Sequence, residues 1–392
     1  GGLGFEAMLV ARPTVPALNP PTRLLLGPGP SNGHPRVYQA LSMPQVGHLD
    51  PAFLSIVEDL KTLLRYVWQT NNEFTIPVSG TGSAAMEACF ANLVTKGDKV
   101  LVCVNGYFGE RMIDMAERYG AVVARIDAPW GTVFTHGQIE SAIKQHRPSI
   151  VAIVHAETST GACQPLEGLA QIVHDAGALL LVDTVTSIGG VPLHVDKWGI
   201  DASYAGGQKC LACPPGLAPL TFSPRAMEKL RARPDKVPNW YLDMSAIAKY
   251  LVPGKGAAKR VYHHTAPISM CYAFKEALQI VCDEGLEEAW QRHRRNAERL
   301  WSGLEAMGLK MVVDKDHRLP SLTTVYIPEG VDGAAVCANM LKRYNIELGG
   351  GLGAFAGKAW RIGLMGYNNS PEVVDHFLAC LKESLRATRS KL

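Results

Sequence analysis

The sequence has little of what marks several large classes of protein. It lacks a long apolar run: Ile150 to Val154 and Ala176 to Val182, which end at His155 and Asp183, are its longest, and a membrane helix takes about 20 residues. It lacks a charge excess, because 39 Lys and Arg stand against 36 Asp and Glu for a net charge of +3. Such a balance provides no polybasic field for nucleic acid. Its nine cysteines are odd in number and scattered from Cys89 to Cys380 through apolar segments, which reads as reduced packing residues and excludes a disulfide-stapled secreted fold. Internal repeats, low-complexity stretches and a G-x-x-x-x-G-K-[ST] phosphate loop are also missing. What remains is 392 residues, 47% hydrophobic and 19% charged, the composition of an ordinary globular protein that binds neither nucleic acid nor membrane. That length argues for two domains.

Both ends carry expectations. The opening Gly1-Gly2-Leu3-Gly4 has no initiator methionine, and about seven residues are set aside as a processed end or cloning remnant, with Met8 a candidate native start. Ser390-Lys391-Leu392 spell the peroxisomal address, which the import receptor reads at a free C-terminus.

Six prolines between Arg12 and Pro30 predict an extended N-terminal arm. Phe53, Leu54, Val57, Leu60, Leu64 and Val67 recur at helical spacing, opposite Glu58, Asp59 and Lys61. Strands are expected at Lys99 to Val104, Ala121 to Ile126, Ser149 to His155, Ala178 to Asp183 and Ala218 to Phe222, alternating with helices. That alternation predicts an α/β fold with a mainly parallel sheet. The pattern changes near Asp283: a charged helix from Leu286 to Met307, strands at Lys310 to Val313 and Leu322 to Ile327, and helices at 334–344 and 371–387 predict a smaller α+β domain. The expected division is an arm over 1–22, a large domain over 23–283 and a small one over 284–392.

Three features carry chemistry. The turn Ser79-Gly80-Thr81-Gly82-Ser83-Ala84-Ala85 lies between a strand and a helix. Its amides and the Thr81 and Ser83 hydroxyls can hold a phosphate at a helix start. The turn also fits a dinucleotide site, which needs an acid at the end of the next strand. The nearest, Asp98, precedes that strand. Asp183 closes Leu179-Leu180-Leu181-Val182, which puts a carboxylate at the edge where ligands bind in open α/β sheets. Gly206-Gly207-Gln208-Lys209 then sets a lysine among small residues, in a position suited to ion pairing or Schiff-base chemistry. An anion site, an acid for a pyridine nitrogen and a Schiff-base lysine together meet the needs of pyridoxal phosphate.

At these residues the sequence resembles the class V aminotransferases of fold type I, and among them the alanine/serine–glyoxylate aminotransferases. The resemblance runs from about Leu24 to the C-terminal helix. Its motifs are Leu26-Gly27-Pro28-Gly29-Pro30-Ser31-Asn32, Ser79-Gly80-Thr81-Gly82, His155-Ala156-Glu157-Thr158-Ser159-Thr160-Gly161, Leu181-Val182-Asp183-Thr184-Val185, Gly207-Gln208-Lys209, Tyr262-His263-His264-Thr265 and Trp360-Arg361-Ile362-Gly363. It implies a large domain with a mainly parallel seven-stranded sheet, a smaller C-terminal domain, and pyridoxal 5′-phosphate as cofactor.

By the same resemblance, Lys209 is the Schiff-base lysine and proton shuttle, and Asp183 keeps the ring nitrogen protonated. Phe108 stacks on one face of the ring and Val185 presses on the other. Thr81, Gly82, Ser83 and Gln208 take phosphate-binding positions, and Thr158 lies near the ring hydroxyl. Tyr262 and Thr265 reach the partner's phosphate across a homodimer interface. Arg361 is the substrate clamp, since a guanidinium binds a carboxylate bidentately; its alternative is a surface ion pair. Gly29 on the arm and Gly349 to Gly353 narrow the substrate pocket. The implied reaction is ping-pong transfer from alanine or serine to glyoxylate or pyruvate.

The alternatives are a bulkier donor such as 3-hydroxykynurenine, or an NAD-dependent oxidoreductase built on the Gly80 turn. Cys210 and Cys213 have redox or zinc spacing but no second pair, and loop packing is the simpler reading. A cysteine desulfurase, which shares this fold, usually has His where Gln208 stands. His263 and His264 are adjacent, so they point apart and read as structural rather than metal-binding. His48 is assigned no role. The Arg292 to Arg295 run reads as the solvated face of a helix.

Overall fold

The computed structural model describes residues 10–252 and 260–389. Residues 10–22 have no regular structure and are exposed, as the prolines predict. Helix Pro51–Trp68 shows how local sequence sets an element. Asp50 accepts from the Ala52 amide at 2.8 Å, Pro51 pre-sets the first turn, and Gln69 closes the end in a left-handed conformation. Phe53, Val57, Leu60, Leu64 and Val67 are buried against the core.

The large sheet has seven strands in the order Phe74–Ser79, Leu217–Phe222, Ala202–Tyr204, Leu179–Asp183, Ile150–Val154, Lys99–Val104, Val122–Asp127. Leu217–Phe222 is antiparallel to both its neighbours; the other pairs are parallel. The five expected strands all form, within a residue or two. In the four interior strands of these five the Val-, Leu- and Ile-rich runs are buried on both faces, as a helix-covered parallel sheet requires, whereas the edge strand Val122–Asp127 is only partly covered. Because the parallel strands run the same way, Val104, Val154 and Asp183 all finish at one edge.

A second sheet has the order Leu24–Leu26, Ile346–Gly350, Ala359–Gly363, Leu322–Tyr326, over its own core of Trp301, Val325, Trp360, Ile362, Phe377 and neighbours. The two long helices Ile268–Glu284 and Leu286–Ala306 meet at Gly285, whose φ of +86° favours glycine. This turn stands where the pattern changes near Asp283. Two expectations differ from the structure. Leu24–Leu26 pairs in parallel with Ile346–Leu348 in the second sheet, although residue 23 was expected to open the large domain. Three residues are too few to show a pairing partner in sequence. Lys310 to Val313 is not a strand, and only a single bridge joins Met311 to Val325.

The Arg292–Arg295 run is only partly a solvated face. Arg292 grips Glu284 and the carbonyls of Gly366 and Asn369, and His293 is buried with its Nε2 accepting from the Gly366 amide at 3.0 Å. Arg294 and Arg295 are exposed and pair with Glu298 and Glu288. Among the described residues no helix is long and apolar enough to cross a membrane.

Candidate active site

Asp183 ends its strand 2% exposed. The parallel register sets it beside Tyr204 on the next strand, and the Tyr204 hydroxyl donates to Oδ2 at 2.8 Å. The Val185 amide donates to Oδ1 at 2.9 Å. Burial pushes the carboxyl up to about 6, while those two donors and the charges of Lys209 and Arg111 pull it down. Enough anionic character is retained to hold a cationic N–H.

Lys209 is 8% exposed, and burial, then the Arg361 charge, brings its pKa down to about 8. Its ammonium therefore loses a proton more readily than a solvated lysine does. The segment after strand Leu24–Leu26 lies across it: Nζ donates to the Pro28 carbonyl, Ser31 Oγ donates to the Lys209 carbonyl at 2.7 Å, and the Ser31 amide donates to the Gln208 carbonyl at 2.9 Å. Gly29 has φ +113°, and a Cβ there would lie 2.5 Å from Nζ. The backbone conformation favours glycine, and a Cβ there would force the Lys209 side chain to move.

Strand Phe74–Ser79 turns through Gly80, at φ +145°, into helix Gly82–Leu93. Thr81 caps that helix without a side-chain hydrogen bond, and the first-turn amides of a helix have no intrahelical partner. These groups border a cavity of about 180 Å³. Eight predicted residues line it together: Thr81, Gly82, Ser83, Phe108, Asp183, Val185, Gln208 and Lys209. The buried Gln208 Oε1 has no hydrogen-bond partner among the described residues. Hydroxyls, free amides and a carboxamide at one end, a buried carboxylate and a partly deprotonated lysine elsewhere, and Phe108 and Val185 as walls fit pyridoxal 5′-phosphate.

Arg361 lies on strand Ala359–Gly363, half-buried. Its Nε donates to the Gly350 carbonyl at 2.8 Å, and Nη1 reaches the Thr158 carbonyl at 3.4 Å. Among the described residues it pairs with no carboxylate, so the surface ion-pair alternative fails. Burial lowers its pKa from the ordinary value. Thr158 is buried, its hydroxyl bonded to that of Thr186, and it does not line the cavity. Tyr262 and Thr265 are exposed, touch each other at 3.5 Å and do not line this chain's own cavity.

Three residues escaped the sequence reading. Tyr204 is recognisable only once the register is known. Arg111 lines the cavity, three residues beyond Phe108 on helix Tyr107–Arg118. Glu157 is fully buried and accepts from the Ser159 amide at 3.0 Å, the Ser159 hydroxyl at 2.6 Å and the Phe108 amide at 3.3 Å. It thereby anchors the helix start that carries Phe108. Burial pushes its carboxyl up to about 7, with the Asp183 charge adding to the rise.

Other candidates are explained without chemistry. Cys210 and Cys213 are buried, and burial pushes both thiols up to about 12, so loop packing accounts for them. His264 bonds Ser79 Oγ at 2.9 Å and His263 at 2.8 Å, and His263 stacks on Trp240. His48 accepts the Tyr250 hydroxyl at its carbonyl. Asp98 holds the Thr95 amide and pairs with Lys229 at 2.8 Å, at the start of strand Lys99–Val104. The acid a dinucleotide site needs is therefore not at the strand's end, and the NAD-dependent alternative loses its support.

Comparison with known proteins gives a consistent result. Residues 36–377 match the family described as Aminotransferase class-V. The alanine–glyoxylate aminotransferase of Mus musculus is 40% identical over 387 residues, 98% of this chain and 93% of that protein. The (S)-ureidoglycine–glyoxylate transaminase of Bacillus subtilis (strain 168) is 38% identical, over 93% of this chain and 91% of that one. The crystal structure of an alanine–glyoxylate aminotransferase from Nostoc sp. superposes with a TM-score of 0.93 at 56% identity, covering 95% of this chain and 98% of that chain.

Proposed function

The chain belongs to the class-V aminotransferases, and from that premise we propose a ping-pong transfer of an amino group from alanine or serine to glyoxylate or pyruvate. The enzyme is a pyridoxal-phosphate-dependent aminotransferase of fold type I, and glyoxylate is the acceptor named for relatives with different donors. The observation that carries the reading is one cavity lined by Asp183, Lys209 and Gln208, with Arg361, which pairs with no carboxylate among the described residues, close enough for its charge to lower the Lys209 pKa.

When bound, pyridoxal 5′-phosphate supplies a carbonyl that condenses with amines and a ring that draws electrons from the substrate Cα. The chain does the rest. Thr81, Gly82, Ser83 and Gln208 hold the phosphate; Phe108 and Val185 hold the ring plane. Asp183 keeps a proton on the ring nitrogen. Arg361 fixes the substrate carboxylate, which leaves the Cα proton to Lys209, whose lowered pKa suits it to take and return a proton near neutral pH. Thr158, through its carbonyl, helps to hold Arg361 in place.

A small donor is favoured by the narrow roof. Gly29 packs on Lys209, and a Cβ on Gly349 would overlap Pro28, so the arm and the end of strand Ile346–Gly350 meet beside the reactive lysine. Homodimerisation is supported by the exposed aromatic group Trp240, Tyr241 and Tyr262, 68%, 43% and 56% accessible, gathered around the contacts of His48 and His263. Tyr262 and Thr265 would then complete the partner's phosphate site. Peroxisomal import rests on Ser390-Lys391-Leu392, which lie outside the described residues.

The test is a half-reaction screen that follows conversion of the aldehyde form of the cofactor to its amine form with each donor. Alanine or serine is expected to convert it; a response to 3-hydroxykynurenine with none to either small donor would overturn the proposal. Borohydride should fix the cofactor on the Lys209 peptide. Deleting Leu392 should leave the protein in the cytosol, and unchanged peroxisomal import would refute the address.

A further inference from the structure

Beyond the roles given so far, the cofactor cavity holds a cation with no assignment. Arg111 lines it, and its Nη1 donates to Ser83 Oγ at 3.0 Å. That is its one hydrogen bond among the described residues, and it pairs there with no carboxylate. Its guanidinium carbon lies 5.0 Å from the centre of the Phe108 ring and 5.3 Å from that of Tyr107, so two aromatic faces fix its position. Among the described residues it is a held, unpaired charge whose remaining N–H groups have no protein acceptor.

The charge balance of the site gives that cation a purpose. A phosphate monoester carries about −1.5 to −2 near neutral pH. The groups that Thr81, Gly82, Ser83 and Gln208 offer it are all neutral. Lys209 is committed to the aldehyde and Arg361 to the substrate carboxylate. An arginine at Ser83 is the residue type that matches phosphate oxygens with paired N–H donors.

We propose that Arg111 is the charged phosphate ligand of this site, binding the cofactor's phosphate beside Ser83 and supplying the counter-charge that the neutral cup lacks. The inference rests on the pyridoxal-phosphate reading above. It gives Ser83 a second task, since its hydroxyl orients the guanidinium. It also links Phe108 to the phosphate end, because the ring that walls the cofactor is the surface on which the cation lies.

The experiment compares two ligands that differ only in the phosphate. Dissociation constants of pyridoxal 5′-phosphate and pyridoxal are measured by fluorescence quenching on the full chain stripped of cofactor, for the unaltered protein, Arg111→Met and Arg111→Lys. Loss of a charge-assisted phosphate contact should weaken pyridoxal 5′-phosphate about ten- to a hundredfold in Arg111→Met and leave pyridoxal nearly unchanged. Arg111→Lys should recover most of the preference. If both ligands weaken equally, Arg111 only packs Phe108 and the proposal fails; an unchanged preference also overturns it. Should Arg111→Met not fold, Arg111→Gln is read by the same ratio. An unaltered protein that binds neither ligand would instead sink the cofactor reading itself.

Discussion

Replacing Tyr204 with Phe tests how Asp183 is tuned. The phenol is fully buried and its hydroxyl donates to Asp183 Oδ2 at 2.8 Å, so Tyr204→Phe removes that donor and little else. Asp183 then keeps the Val185 amide as its close donor. A hydrogen bond to a charged group contributes about 1.5–3 kcal/mol, and one pKa unit is about 1.4 kcal/mol. The carboxyl, already up at about 6 through burial, should therefore rise by roughly one to two further units in the variant. The sign follows from which form binds. A ring nitrogen held as N–H⁺ needs the carboxylate, so affinity is lost as pH falls through the Asp183 midpoint. That loss should be centred near 6 in the unaltered protein and between roughly 7 and 8 in Tyr204→Phe. Pyridoxal is the ligand to use, because the phosphate ester has its own ionisation near 6. Its affinity for the cofactor-free protein would be followed by fluorescence from pH 5 to 9, with circular dichroism confirming the fold. Coincident pH profiles for the two proteins would refute the claim that Tyr204 sets the charge on Asp183.

Three further outcomes follow from the same geometry. Gly29→Ala places a Cβ 2.5 Å from Lys209 Nζ at φ +113°; it should cut kcat about a hundredfold while cofactor binding survives, and a kcat near normal would show that the arm tolerates displacement. Arg361→Met should raise KM for alanine about ten- to a hundredfold without changing cofactor affinity; unchanged KM would remove Arg361 as the carboxylate clamp. Glu157 concerns stability: its carboxyl rises from 4.5 to about 7 on burial, so its contribution is fully present below about 4.5 and is lost as pH rises through 7. Urea unfolding of cofactor-free Glu157→Gln should show a gain of up to about 3 kcal/mol at pH 8 and almost none at pH 4.5, and a pH-independent difference would contradict the buried-charge account.

The parts of the site visible in sequence are those carried by contiguous patterns. Asp183 announces itself because it ends an apolar run, and Lys209 because small residues surround it. The Gly80 to Ser83 turn is likewise readable, since its glycines serve a local conformation. Tyr204, Glu157 and Arg111 were not legible for a common reason: each acts through a neighbour distant in sequence. Tyr204 meets Asp183 only through strand register, Glu157 reaches the Phe108 amide across a chain separation of 49 residues, and Arg111 reaches Ser83 across 28. The same reason explains the strand Leu24–Leu26, which is too short to carry a pattern and is defined by its partner.

That strand bears on how the enzyme is made. Arg23, just before it, bonds to the Leu341 carbonyl 318 residues further along, and Leu24–Leu26 can pair only after Ile346–Leu348 has emerged. At a synthesis rate of about 5–20 residues per second the amino end waits on the order of 15–60 s for its place in the sheet. The Pro28 and Gly29 cover on Lys209 is tethered to that strand. The nascent chain can therefore build its seven-stranded core and cofactor cup early, yet the roof over the reactive lysine closes among the last events of folding. Nonsense truncations that remove strand Ile346–Gly350 would leave that roof unanchored and expose an unpaired strand at the front of an otherwise folded large domain.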